Sequence, residues 1–233
     1  MLFERLKADL RKFANPKKKE ILQRFFKTGP GQYGEGDVFL GVMVSESRSL
    51  AVAYKNLSFS DIKKLLASPV HEERLVGLLI LVYNFQKGGA ETQKTIYRYY
   101  LAHTKHVNNW DLVDLTADKI VGQYLLDNPK EITILGKLAR SKNLWERRIA
   151  IIATFQFIKC NQFKPTLQIA QLLMRDEHDL IHKAVGWMLR EVGKRDKKVE
   201  MDFLKIHKHI MPRLTLRYAI ERFSPAEKTR VGI

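Results

Sequence analysis

An all-α fold built from stacked helix pairs is what this 233-residue sequence predicts. Three observations carry the prediction. Apolar residues recur at spacings of three and four almost everywhere outside residues 28–48, the mark of amphipathic helices. Strand-like alternation is absent. A leucine, a polar break and a longer apolar stretch return at a near-constant interval. With 45% hydrophobic and 28% charged residues the composition is ordinary for a globular chain, and one folded domain over residues 1–233 is the expectation.

Taken in order, MLFERLKADLRKF mixes charge with apolar residues at helical spacing, and so lacks the unbroken apolar core of a signal peptide. The next stretch, TGPGQYGEGDVFLG, carries Gly29, Gly31, Gly34, Gly36 and Gly41. Gly29, Gly31 and Gly34 formally match a dinucleotide fingerprint. That match requires a preceding strand, a following helix and an acid about 20 residues on. Here a helix precedes, Pro30 intrudes, and the segment near position 54 is AVAYKN. A connecting loop is predicted, with phosphate contact through its backbone amides the lesser alternative. Ser68-Pro69 looks like a cap residue followed by a proline at the first helical position, opening the apolar run Leu75–Phe85.

From there the repeat takes over. LASPVHEERLVGLLI from Leu66, LAHTKHVNNWDLVDL from Leu101, LARSKNLWERRIAII from Leu138 and LMRDEHDLIHKAVGW from Leu173 align at intervals of 35, 37 and 35 residues. Helix pairs of that length cannot bury their apolar faces alone, so they stack into an α-solenoid with a concave surface. The tetratricopeptide signature is missing, which leaves a HEAT-like repeat.

Forty-one Lys and Arg against 25 Asp and Glu give a formal charge of +16 and a pI near 9.9. The excess is spread along the chain: residues 183–230 carry 13 basic and 6 acidic residues, residues 1–30 carry 9 and 3. A concave basic groove suits a phosphate backbone, where each neutralised phosphate releases counterions. No run reaches the roughly 18 apolar residues of a membrane span. The lone Cys160 excludes an internal disulfide and fits a reducing cytoplasm. His103/His106, His178/His182 and His207/His209 have ligand-like spacing without H-E-x-x-H or a cysteine cluster, so no metal and no cofactor is expected. No G-x-S-x-G occurs, and Cys160 has no base partner in the sequence.

Offsets from each leading leucine allow positions to be compared across repeats. Trp110 and Asp114 fall at 9 and 13, Arg148 at 10, Trp187 at 14 and Arg190 at 17. At about 100° per residue these five lie within an arc of roughly 140° on the second helices of consecutive pairs. Each taken singly has a structural reading: tryptophans are usually core, and Asp114 is either solvated or paired to Arg148. Together they place two indole faces, a carboxylate and guanidiniums on one groove. Indole faces attract cations, and a carboxylate in a partly dry site stabilises developing positive charge. A purine alkylated at N3 or N7 is already a cation and a good leaving group. Breaking its glycosidic bond moves positive charge onto an oxocarbenium-like sugar. Asp114 would stabilise that sugar and align water, while Arg148 would hold a phosphate and orient the carboxylate.

The segments N-W-D-L-V-D at 109–114, L-W-E-R-R-I-A-I at 144–151 and A-V-G-W-M-L-R-E at 184–191 resemble those of the AlkD-like DNA alkylation repair glycosylases. G-V-M-V-S-E-S-R at 41–48 is similar to a further family stretch. The resemblance covers most of the chain. It implies Asp114 as the catalytic aspartate, Trp110 and Trp187 as groove tryptophans, and Arg148, with Arg147 beside it, as the DNA-contacting arginine. It also implies excision of 3- and 7-alkylpurines from double-stranded DNA without base flipping. One departure lies near the N-terminus, where R-F-F-K at 24–27 puts Phe25 or Phe26 in place of the family's tyrosine. A monomeric, monofunctional glycosylase is the leading expectation. A non-catalytic module for unusual or branched DNA, and a protein-binding helical scaffold, are the competing ones.

Overall fold

A computed structural model describes residues 2–233; Met1, the first residue of the 1–233 domain expected above, lies outside them. The described chain is all-α. Its helices are α1 (Leu2–Lys12), α2 (Pro16–Phe25), α3 (Val44–Ala53), α4 (Phe59–Leu66), α5 (His71–Lys87), α6 (Ala90–Ala102), α7 (Trp110–Asp114) and α8 (Gln123–Asp127). They continue through α9 (Thr133–Ala139), α10 (Leu144–Ala153), α11 (Phe155–Lys159), α12 (Lys164–Leu172), α13 (Asp179–Arg195), α14 (Lys197–His207), α15 (Arg213–Ala219) and α16 (Pro225–Val231). Among the described residues the sole departure toward β structure is an isolated parallel bridge between Val38 and Val70. No helix there is long and apolar enough to cross a membrane. Two compact units divide the chain, one ending at Leu112 and the other beginning at Val113.

In the first unit α5 is the central element. Leu75 to Val82 are all buried, so this helix is apolar on every side and needs neighbours all round. It packs against α3, α4 and α6. Its first turn is unusual: His71, Glu72, Glu73 and Arg74 are four consecutive charged or polar residues, each at most 3% exposed. Glu73 answers Lys7 and Arg11 of α1. Glu72 receives the backbone N–H groups of Leu40, Gly41 and Val42 at 3.0, 2.8 and 3.2 Å, closing the glycine-rich loop onto the helix. Gly41 has φ +85°, and a Cβ there would lie 2.2 Å from the Asn15 carbonyl oxygen. Only glycine fits that approach. The loop amides of Gly29 and Gly31 are taken by Gln32 and Glu35.

Helix α5 starts two residues later than Ser68-Pro69 suggested. The Pro69 carbonyl accepts from Val38 N–H and the His71 N–H donates to the Val38 carbonyl, both at 2.9 Å. That bridge holds the proline outside the helix, and Ser68 Oγ instead accepts from Val70 N–H at 3.0 Å.

In the second unit α13 is central, packed on α10, α12, α14 and α15 through Ile181, Ala184, Val185, Met188 and Leu189. Helices α9/α10 and α12/α13 form pairs joined at the polar breaks found by the leucine alignment; Asn143 caps α10 by accepting from Trp145 N–H at 2.9 Å. The stretch after α7 was not foreseen. Instead of one long helix there is a turn and then a π-helical segment, Asp118–Gly122. A Cβ on Gly122 would sit 2.3 Å from the Ala153 carbonyl oxygen, so the wide turn brings bare backbone against α10.

Candidate active site

Five-residue α7 begins with Trp110 and ends with Asp114. In the second unit the Asp114 carboxylate is gripped by Arg148 from α10: Nε donates to Oδ1 at 2.9 Å and Nη2 to Oδ2 at 2.8 Å. Both oxygens meet the planar fork, the strongest geometry a carboxylate and a guanidinium share. Arg148 Nη1 donates to the Leu180 carbonyl at 2.5 Å. With its side chain 6% exposed against 15% for Asp114, the arginine is the buried partner and the carboxylate the more open one. Arg147, its neighbour, turns elsewhere: its Nε pairs with Asp176 at 2.6 Å, and its Nη1 donates to the carbonyls of Ser141 and Lys142.

Trp187, on α13, is half-buried, with its ring 6.1 Å from that of Phe155. Its indole N–H donates to Glu191 Oε1 at 3.0 Å. Glu191 was missed in the sequence, although it lies four residues beyond Trp187, the spacing at which helix side chains meet. Arg190 faces a different environment. Its guanidinium pairs with Glu221 and lies near the buried Glu200, whose carboxyl is pushed up to about 8 by burial, with Lys197 and Arg190 opposing and Glu227 adding to the rise.

In the first unit Trp110 is half-buried and lies flat on Phe26, 4.9 Å between ring centres and 9° between planes. Phe26 stacks in turn on Phe39 at 4.9 Å. Phe25 is the outward member of the pair, 60% exposed and edge-on to Trp110 at 5.8 Å. The two phenylalanines thus divide the work: Phe26 supports the indole and Phe25 stands beside it in solvent.

Comparison with known proteins decides the family. A family model described as DNA alkylation repair enzyme matches residues 6–223. The chain belongs to that family. Among solved structures, a predicted DNA alkylation repair enzyme from Enterococcus faecalis is similar to it, with a TM-score of 0.70 and 18% identity over 91% of this chain and 97% of that one. At that identity the likeness establishes a shared all-helical fold. No curated protein sequence matches the chain. Within this DNA alkylation repair family member the geometry assigns the arginine beside Asp114 as Arg148. Three of the five guanidinium N–H groups of Arg148 are engaged by the Asp114 carboxylate and the Leu180 carbonyl.

Proposed function

We propose that the protein is a monofunctional DNA glycosylase that hydrolyses the N-glycosidic bond of cationic N3- and N7-alkylated purines in duplex DNA. The observation that carries the reading is the two-point Arg148–Asp114 pair, which fixes a partly open carboxylate. A carboxylate so held keeps its negative charge and its direction, and costs no reorganisation when positive charge grows on the sugar. The alkylated base leaves as a neutral molecule and requires no acid. Asp114 also aligns the water that completes hydrolysis. In the same unit as Asp114, Trp187, fixed through Glu191, offers a ring face for the sugar and backbone of the damaged strand; in the first unit Trp110, backed by Phe26, offers another.

Arg190, drawn to Glu221, contributes charge near the DNA rather than chemistry. The formal +16 supplies the salt-sensitive, sequence-independent part of binding. Contacts to sugar and phosphate leave the base in the stack, which avoids the unstacking cost of extrusion. The protein acts as a monomer in this reading and uses no metal or cofactor.

The test is release of 7-methylguanine and 3-methyladenine from methylated duplex DNA by wild type and by Asp114→Asn. Release that collapses in the variant while duplex binding persists supports the glycosylase. No release from wild type, with salt-sensitive DNA binding, moves the function to a non-catalytic module for unusual or branched DNA.

A further inference from the structure

One buried charge cluster has no part in the chemistry proposed above. It joins Asp37 from the glycine-rich loop, His71 and Arg74 from α5, and Asn109 and Asp111 at the start of α7. His71 lies between the two carboxylates, Nδ1 3.2 Å from Asp37 Oδ2 and Nε2 2.8 Å from Asp111 Oδ2. Arg74 Nη2 donates to Asp37 Oδ1 at 2.6 Å and Asn109 Nδ2 to Asp37 Oδ2 at 3.1 Å. All five residues are at most 8% exposed.

The far ends of this cluster act on α7. Asn109 Oδ1 accepts the Trp110 N–H and Asp111 Oδ1 accepts the Leu112 N–H, both at 2.8 Å. A five-residue helix has scarcely any internal ladder, so its first amides and its orientation must be fixed from outside. A second route runs through rings: Phe39 stacks on His71 at 4.4 Å and on Phe26 at 4.9 Å, and Phe26 carries Trp110. Charge and stacking therefore converge from one histidine on the residue that opens α7.

We propose that His71 is a positioning residue of the glycosylase site: by holding Asp111 directly, and Asn109 through Asp37, it sets the direction of α7 and the face that Trp110 presents. The proposal rests on the glycosylase reading for its catalytic consequence.

Protonation gives it a readout. The groups facing the ring are Asp111 from α7, Asp37 from the loop, Arg74 from its own helix, and the apolar rings of Phe26 and Phe39. Burial disfavours the charged ring, but Asp111 and Asp37 outweigh it and Arg74, raising His71 to about 9. A doubly protonated ring donates to both carboxylates, whereas a neutral ring donates to one. Above that pH one of the two carboxylates loses its donor.

The experiment pairs His71→Gln with Asp111→Asn. The first arm is single-turnover release of 7-methylguanine from methylated duplex at saturating protein, with duplex affinity measured alongside. The second arm is tryptophan emission from pH 7 to 10.5 in a W145F/W187F chain, whose one remaining tryptophan is Trp110. Release slowed about tenfold or more, up to the roughly hundredfold that a misplacement of about 1 Å brings, with affinity within about twofold, supports the proposal. So does an emission change through pH 9 that H71Q abolishes. Folded variants that release base at the wild-type rate overturn it. Should H71Q fail to fold, D111N and the wild-type pH titration carry the test. A wild type that releases no base removes the glycosylase reading alone. The emission arm then decides: a signal that neither variant nor pH moves overturns the positioning of Trp110, and one that both move sustains it.

Discussion

Asp111 and Asp114 stand three residues apart on one short helix, yet they belong to two charged arrangements with opposite characters. In the first unit His71, Asp37, Asp111 and Arg74 form a closed set, two cations against two anions, sealed from solvent. In the second, Asp114 and Arg148 form a pair in which the carboxylate is the more exposed partner, 15% against 6%. A buried and balanced cluster is costly to disturb because each charge left behind lacks both water and partner. The carboxylate of the pair keeps more contact with solvent than either carboxylate of the cluster. The first arrangement suits architecture and the second suits chemistry.

Breaking the closed set should give the largest effect on stability. His71→Gln is expected to cost about 3–5 kcal/mol, the typical penalty for removing one partner of a buried ion pair, measured by urea unfolding at pH 6. The pH dependence sharpens this. Since His71 is raised to about 9 from its ordinary 6.5, the folded chain holds a proton that the unfolded chain releases. Its stabilisation is complete below pH 6.5 and is lost as pH rises through 9. The wild-type unfolding midpoint should fall over that window while that of H71Q stays flatter.

The Asp114–Arg148 pair should respond in the reverse way. Asp114→Asn is expected to lower single-turnover base release about a hundredfold or more, the scale of removing one electrostatic stabiliser from a transition state. It should cost about 1.5–3 kcal/mol in stability, because the amide oxygen keeps one of the two bonds from Arg148 while its NH2 group meets the other donor. A stability loss equal to that of H71Q would erase the contrast between the two arrangements.

A third acid tests whether burial alone explains the difference. Glu200 is 1% exposed, its Oε1 has no hydrogen-bond partner, and its carboxyl is raised to about 8. Such a group takes stability away as pH climbs from 4.5 toward 8, because the folded state keeps a proton the unfolded state gives up. Glu200→Gln should leave the unfolding midpoint unchanged at pH 4 and raise it at pH 9. A lowered midpoint at pH 9 would mean that the ionised carboxylate is compensated by Lys197 and Arg190.

Much of this was legible in the sequence. Helical periodicity and the leucine interval located the helix pairs, because both depend on local spacing. Trp110, Asp114, Arg148 and Trp187 stood out by their offsets and by the segments that resemble the family. The choice between Arg147 and Arg148 was open, because neighbours on a helix differ by about 100° in direction and a partner 34 residues away cannot be seen from spacing. Arg190 shares the arc and pairs with Glu221, from an element outside the repeat alignment. The closed cluster was invisible for a different reason: a run such as His-Glu-Glu-Arg normally marks a solvated turn. Its context held the clue, since Leu75 to Leu81 follow without a polar face and a helix apolar all round takes its first turn inside with it.

The Glu72 clasp carries a consequence for the timing of solvent exchange. Loop amides ordinarily trade their hydrogens for deuterium within moments, because local opening costs almost nothing. The amides of Leu40, Gly41 and Val42 all end on one carboxylate anchored in α5. Their release together, when that helix start loosens, is the expected outcome, with deuterium uptake as slow as that of a helix interior.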